Sequence, residues 1–317
     1  MKVINYDHSQ YTGLISRYDL NYWKRIHYKY LSITKDELEN NIEEVINELK
    51  TNSINILNIL VPSLTKNIEL ELPDLSGENI LDLENLSKLA CIRELHIAGG
   101  SYRNVHHLEN MHHLEGLYIS AGKANKHLPN LSKLIKLKYL EIHFGECKNM
   151  MIGLEKISSL ETLILSNYKP ALGLKNWNLP NLLNLELVSS NISTLEGLEY
   201  SQNMRCLTIF YCKQLQDIKS IGYMKKLEFL EFEKCKILHN IDELVKCKNL
   251  KLFAMNYCGE IENVLLFKGM KNLENVGFIG TNIKSCDLSP LQNIPIAGFD
   301  NKKAYNYKCQ NFKMIKK

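Results

Sequence analysis

The sequence predicts an α/β solenoid of short strand-and-turn coils stacked one on the next, and three observations carry that prediction. First, Met204-Arg-Cys-Leu207-Thr-Ile209-Phe-Tyr-Cys212, Leu227-Glu-Phe-Leu230-Glu-Phe232-Glu-Lys-Cys235 and Leu250-Lys-Leu-Phe253-Ala-Met255-Asn-Tyr-Cys258 share one spacing, each starting 23 residues after the last. Second, the frame anchored at Met204 lands backward on Leu182, Leu160, Leu137, Leu114 and Ile92 and forward on Leu227, Leu250, Leu273 and Ile294, in steps of 21 to 23 residues. Third, apolar residues precede the anchors at three-residue spacing: Leu86 and Leu89 before Ile92, Leu131 and Leu134 before Leu137, Leu154 and Ile157 before Leu160, Leu244 and Cys247 before Leu250. Alternate apolar residues after the anchor describe a strand with one buried face. Spacing of three eclipses side chains on a 3₁₀ turn, so the back of each coil is expected to be 3₁₀ or extended.

A fixed period in the twenties with this spacing resembles the leucine-rich repeat, in the short form of the bacterial internalins. The resemblance spans about three quarters of the chain. It implies parallel strands on a concave face, 3₁₀ or extended segments on the convex face and a helical N-terminal cap. It also implies that Cys212, Cys235 and Cys258 turn inward to hydrogen-bond the loop leaving each strand, with Asn191 and Asn282 at or one residue beyond the same site in flanking coils. Adjacent rungs stand about 4.8 Å apart with parallel side chains, an arrangement that disfavours disulfides and does not converge on a tetrahedral metal.

In chain order, residues 1–33 are rich in tyrosine, and Arg25-Ile-His-Tyr-Lys-Tyr-Leu31 alternates as a half-buried strand does. Thr34-Lys-Asp-Glu37 has the form of a capping box, and Leu38, Ile42, Val45, Ile46 and Leu49 follow at helical spacing. A strand over 54–61 follows, and 1–66 is assigned as the N-terminal cap that a solenoid needs over its first coil. The solenoid itself is placed at 67–301, opening with a strand at Asn67-Ile-Glu-Leu-Glu-Leu72, and 302–317 is a basic C-terminal tail or cap in which Tyr305, Tyr307 and Phe312 cover the last coil.

Among 317 residues, 39 are Lys or Arg and 35 are Asp or Glu; the six lysines of 302–317 account for more than the whole surplus of +4. The opening Met-Lys-Val-Ile-Asn-Tyr-Asp-His lacks the apolar stretch of a secretory signal, and nine cysteines without a C-x-x-C suit a reducing compartment, so a cytoplasmic protein is expected. A secretion route that needs no apolar signal stays open. No G-x-x-x-x-G-K-[ST], G-x-S-x-G or H-E-x-x-H occurs, and no long segment outside the repeats could house a catalytic domain, so a non-enzymatic protein without cofactor is expected. His106-His107 and His112-His113 fall on the outer side of one coil, where a solvated face is expected in place of a metal site.

Function is sought on the strand face. Positions +2, +4 and +6 from the ten anchors between Ile92 and Ile294 include no Lys or Arg in thirty places, while six are acidic. Tyr118, Tyr139, Glu141, His143, Glu186, Phe210, Phe229, Glu231 and Glu233, with Tyr211 and Tyr257 beside them, therefore form the candidate site for a basic protein partner, aromatic residues anchoring and carboxylates steering. An immunity protein for a cationic toxin and a host-directed effector both suit that reading. The rival is a nucleic-acid or ribosome-associated protein using Arg25, His27, Lys29 and the C-terminal lysines.

Overall fold

The computed structural model describes residues 1–7, 27–61, 80–98, 101–120, 129–144, 153–170 and 173–309. The strand expected at 67–72, Arg25 and Phe312 lie outside them. The chain divides into two compact units, Met1–Thr162 and Leu163–Lys317.

In the first unit, β1 (Lys2–Asp7) pairs antiparallel with β2 (His27–Thr34), and β2 pairs parallel with β3 (Ile56–Leu60). Thr34 closes the expected capping box: its hydroxyl accepts from the Glu37 N–H while the Glu37 carboxylate accepts from the Thr34 N–H. The expected single helix is two, α1 (Lys35–Asn40) and α2 (Ile42–Thr51), because Asn41 leaves helical geometry; Leu38, Ile42, Val45 and Leu49 are nonetheless buried together. After β4 (Ile80–Asp82) come β5 (Glu94–Ala98), β6 (Ser101–Arg103), β7 (Gly116–Ser120) and β8 (Tyr139–His143). The sheet order is β1-β2-β3-β5-β7-β8, with β4 and β6 paired separately.

The second unit takes β9 (Thr162–Ser166, all but its first residue), β10 (Asn184–Val188), β11 (Cys206–Phe210), β12 (Phe229–Glu233), β13 (Leu252–Asn256), β14 (Asn275–Phe278) and β15 (Ile296–Phe299) in chain order. From β10 onward every pair is parallel and in register at equivalent coil positions, as in Leu207↔Leu230↔Phe253↔Val276.

The anchors behave as the repeat requires: all ten, from Ile92 to Ile294, are buried. The three-residue spacing upstream produces successive i→i−3 bonds, Leu86 N–H to Leu83 O, Leu89 to Leu86 and Ile92 to Leu89, each 3.0–3.2 Å. The same run joins Ile218, Ile221, Met224 and Leu227 in the second unit. Most coils are therefore a strand, a turn and a 3₁₀ back with buried apolar residues; the coil before β7 departs from the expected 3₁₀ or extended back with a short α-helix, α3 (His106–Glu109). There Phe232, Phe253, Phe267 and Phe278 cluster with centroids 5.6–6.5 Å apart.

Alternating charge runs along the upstream edge of the strands, one residue after eight of the ten anchors. In the first unit the row is Arg93, Glu115, Lys138, Glu161; in the second it is Arg205, Glu228, Lys251, Glu274. Glu228 is gripped from both sides, by Arg205 at 2.5 Å and Lys251 at 2.8 Å. Burial would raise its carboxyl pKa, but the hydrogen bonds and charges of Lys251 and Arg205 outweigh that and hold it below the usual range. A coil slipped by one place would set like charges side by side, so the row favours one stacking register.

The C-terminal residues close the last coil. Tyr305 is buried against Phe299 and its hydroxyl accepts from the Ile283 N–H, while Cys309 is buried with its thiol 3.8 Å from Ala297 O. Lys302 and Lys308 are drawn in too, bonding Asn282 Oδ1 (2.5 Å) and Lys302 O (3.0 Å).

Candidate functional site

The outward face of the first unit is built from β5, β7 and β8. Register sets His96, Tyr118 and Glu141 in one row. Tyr118 stands between His96 and His143, with ring centroids 5.9 Å and 5.4 Å away. One Glu141 oxygen accepts the Tyr139 hydroxyl proton, and the other lies 2.8 Å from His143 Nε2. Tyr139, expected to be an exposed anchor, is instead 4 % exposed. Burial lowers the pKa of His96 against the opposing pull of Glu141, so the ring is neutral near pH 7. Burial likewise raises that of Tyr118.

In the second unit, parallel register lays three outward rows across the sheet. The +2 row runs Cys206, Phe229, Leu252, Asn275 and Ile296. The +4 row runs Glu186, Thr208, Glu231, Ala254, Gly277 and Gly298. The +6 row runs Val188, Phe210, Glu233 and Asn256. Phe210, Phe229, Leu252, Glu186 and Glu233 are half-buried, so each shows part of its side chain to solvent. Glu231 departs from expectation: at 4 % exposure it is part of the sheet and not a solvated steering charge. On the outward face it lies between the smaller Thr208 and Ala254 of the adjacent strands. Thr208 Oγ1 donates to Glu186 at 3.3 Å.

Where the strands end, the chain turns through left-handed backbone at Asn167, Ser189, Tyr211, Lys234, Tyr257 and Gly280, with φ from 51° to 69°. Each of the first five donates its N–H to the next coil, for example Tyr211 to Glu233 O at 2.8 Å. Tyr211 and Tyr257 are thereby held outward, 41 % and 44 % exposed. Lys234 bridges them, its Nζ 2.8 Å from Tyr211 Oη, 4.5 Å from that ring and 5.9 Å from the Tyr257 ring, with Glu233 at 3.4 Å. The Tyr257 ring lies over Gly280, where a Cβ would come within 2.2 Å of it. Lys234 escaped the sequence-based expectation because charge was counted only at +2, +4 and +6; its signal was membership of the same one-per-coil column as both tyrosines.

One residue further on, the rungs are Ser190, Cys212, Cys235, Cys258 and Thr281. Cys212 and Cys235 are fully buried, with thiols 3.8 Å and 3.6 Å from Leu187 O and Ile209 O of the preceding coils. Thr281 does the same with a hydroxyl, 2.6 Å from Met255 O. Asn191 and Asn282 are not rungs: Asn191 is exposed, and Asn282 bonds Glu260 and Lys302. The rung demands a short buried donor, and Ser190 and Thr281 meet that need. Cys258 is only half-buried, against the expectation of a buried thiol.

Of the paired histidines, His112 Nδ1 lies 2.9 Å from Lys133 O and His113 is half-buried, so only part of the expected solvated face is solvated. Among the described residues no helix is long and apolar enough to cross a membrane.

No family model matches the chain, and no curated protein matches it in sequence. Among solved structures it is similar to an internalin (inlF) of Listeria monocytogenes, with TM-score 0.52 and 13 % identity over 88 % of this chain and 93 % of that one. The fold is an internalin-like leucine-rich repeat. Internalin C2 of the same organism aligns at TM-score 0.41 and 17 % identity, over 50 % of this chain and 72 % of that one. The functional domain of InlJ, also from Listeria monocytogenes and described as including a cysteine ladder, aligns at TM-score 0.44 and 13 % identity, over 77 % of this chain and 62 % of that one. In leucine-rich-repeat terms, the anchors are the buried repeat positions and the rows above are what its strands present.

Proposed function

We propose that this leucine-rich-repeat chain is a non-enzymatic interaction module that receives a basic, partly apolar segment of a protein partner across the outward face of β11, β12 and β13. Repeat folds serve many roles, so the reading rests on the site and not on the fold. The observation that carries it is that Phe229 and Leu252, paired across β12 and β13, and Phe210, beside Glu233 further along the strands, are all half-buried on a face whose +2, +4 and +6 positions hold no Lys or Arg. Partly exposed aromatic side chains gathered on one face are what a partner would bury as anchors, and carboxylates at the margin favour a cationic approach. The same charge opposes phosphate, which counts against the nucleic-acid alternative. A cationic toxin met by an immunity protein and a host target met by an effector are both partners of this chemistry.

The test compares three baits in extracts of the source cell by quantitative mass spectrometry: wild type, Phe210→Ala with Phe229→Ala, and Lys225→Glu with Lys226→Glu on the upstream edge. A basic protein retained by the first and third baits and lost from the second supports the reading. A protein lost only from the lysine variant contradicts it.

A further inference from the structure

The thiol ladder ends unevenly. Cys212 and Cys235 are enclosed, whereas Cys258 is only half-buried and turns its thiol to Asn256 O of its own coil at 3.3 Å. The next rung, Thr281, packs below it, with its hydroxyl accepting the Cys258 N–H at 3.0 Å. Glu233 and Asn256 are partners in the parallel register, so Cys235 and Cys258, two residues beyond them, are facing rungs of adjacent coils. Adjacent parallel strands stand about 4.8 Å apart, inside the Cα separation of about 4.4–6.8 Å that a disulfide spans.

We propose that Cys258 is an oxidant-reactive thiol and that Cys235 resolves it to a reversible disulfide between adjacent coils, with a hydroperoxide as the oxidant. The electrostatics divide the roles. The neighbouring Cys235 lowers the pKa of Cys258, and Lys236 adds to that effect against the cost of burial. Cys235 moves the other way, raised first by Cys258 and then by burial. Cys212 is the unreactive third rung, its thiol pushed up to about 11 by burial. The more acidic thiol is also the more accessible one, which is the combination that selects a peroxide-reactive cysteine.

In the first step the Cys258 thiolate attacks the terminal peroxide oxygen, the O–O bond breaks, and an alkoxide, or hydroxide when the oxidant is hydrogen peroxide, departs and leaves a sulfenic acid. In the second, the Cys235 sulfur attacks the Cys258 sulfur, the S–O bond breaks, and the departing hydroxide carries off the Cys235 proton as water. Two thiols are oxidised while one peroxide is reduced to two oxygens at the level of water. Parallel rungs are a poor starting geometry for a bridge, so closing it must swing the Cys235 thiol away from Ile209 O and Glu233 O, 3.6 Å and 3.7 Å away. A bridge made at that cost is strained and hence easily reduced, as labile disulfides are.

The intact chain is treated with hydrogen peroxide, blocked with iodoacetamide and digested without reductant. The expected product is a linked pair of peptides carrying Cys235 and Cys258, lighter by two hydrogens and separated by dithiothreitol, with Cys212 still a thiol. Before oxidation, Cys258 should alkylate about tenfold or more faster than Cys212, approaching the exposed reference Cys91. Cys258→Ser should abolish the link and Cys212→Ser should leave it. Alkylation of Cys258 as slow as that of Cys212, oxidation ending in a sulfinic acid, or a link from Cys258 to another cysteine overturns the proposal, and the wild-type map decides it even if a variant fails to fold.

Discussion

The outward faces of the two units are made from one template and finished differently. In the first unit the polar groups answer one another: Glu141 takes the Tyr139 hydroxyl and His143, and Tyr118 packs between two imidazoles. In the second, Phe210, Phe229 and Leu252 stand half-buried on the outward rows, and Tyr211 and Tyr257 are held out on left-handed backbone beside them. Carboxylates occur on both faces, so acidity does not distinguish them. What distinguishes them is that the first presents a hydrogen-bonded polar set and the second presents part-exposed apolar and aromatic side chains, which makes the second the better docking surface.

The comparison breaks most visibly in binding. Phe229→Ala and Phe210→Ala should each weaken the partner complex by about 1–3 kcal/mol, read by calorimetry, while Glu141→Gln should leave affinity close to that of wild type. Stability should show the reverse. Glu141→Ala leaves the Tyr139 hydroxyl and His143 without their acceptor and should cost about 1–3 kcal/mol in denaturant unfolding, whereas Phe229→Ala should cost less. Tyr139→Phe, which removes one donor and leaves no buried group stranded on its own side, should cost about 0.5–1.5 kcal/mol.

The smallest effect is in pH. His96 and His113 have folded pKa values below the ordinary 6.5, burial being the first cause in each. Unfolding therefore takes up protons, and the first unit should lose stability as pH falls below about 6.5 toward the folded values. In the second unit Glu199, Glu228 and Asp287 carry lowered pKa values, whose contribution is lost only as pH falls below their usual carboxylate values of 4.5 and 3.8. Amide exchange at pH 7 and pH 5.5 should show β7 and β8 loosening more than β11 and β12. Equal loosening would remove the distinction.

Much of the fold was legible because a repeat states its rule many times over. The anchors from Ile92 to Ile294 and the three-residue run through Leu83, Leu86 and Leu89 needed only spacing, and Thr34-Lys-Asp-Glu37 needed only a known local motif. The alternating row Arg205, Glu228, Lys251, Glu274 was equally readable, in a column one place after the anchor. The face was less so. Outward orientation follows from strand period, but exposure does not, and Tyr139 and Glu231 proved buried. Cys258 belongs to the same lesson: it shares the spacing of Cys212 and Cys235, yet only packing around its rung decides that it meets solvent.

The most direct test of the open second face is hydroxyl-radical footprinting of the chain with and without its isolated partner. The account predicts that oxidation of Phe210, Phe229 and Tyr211 falls severalfold in the complex while that of Tyr118 and His143 is unchanged. Protection of Tyr118 and His143, with Phe210 and Phe229 oxidised as in the free chain, would contradict it.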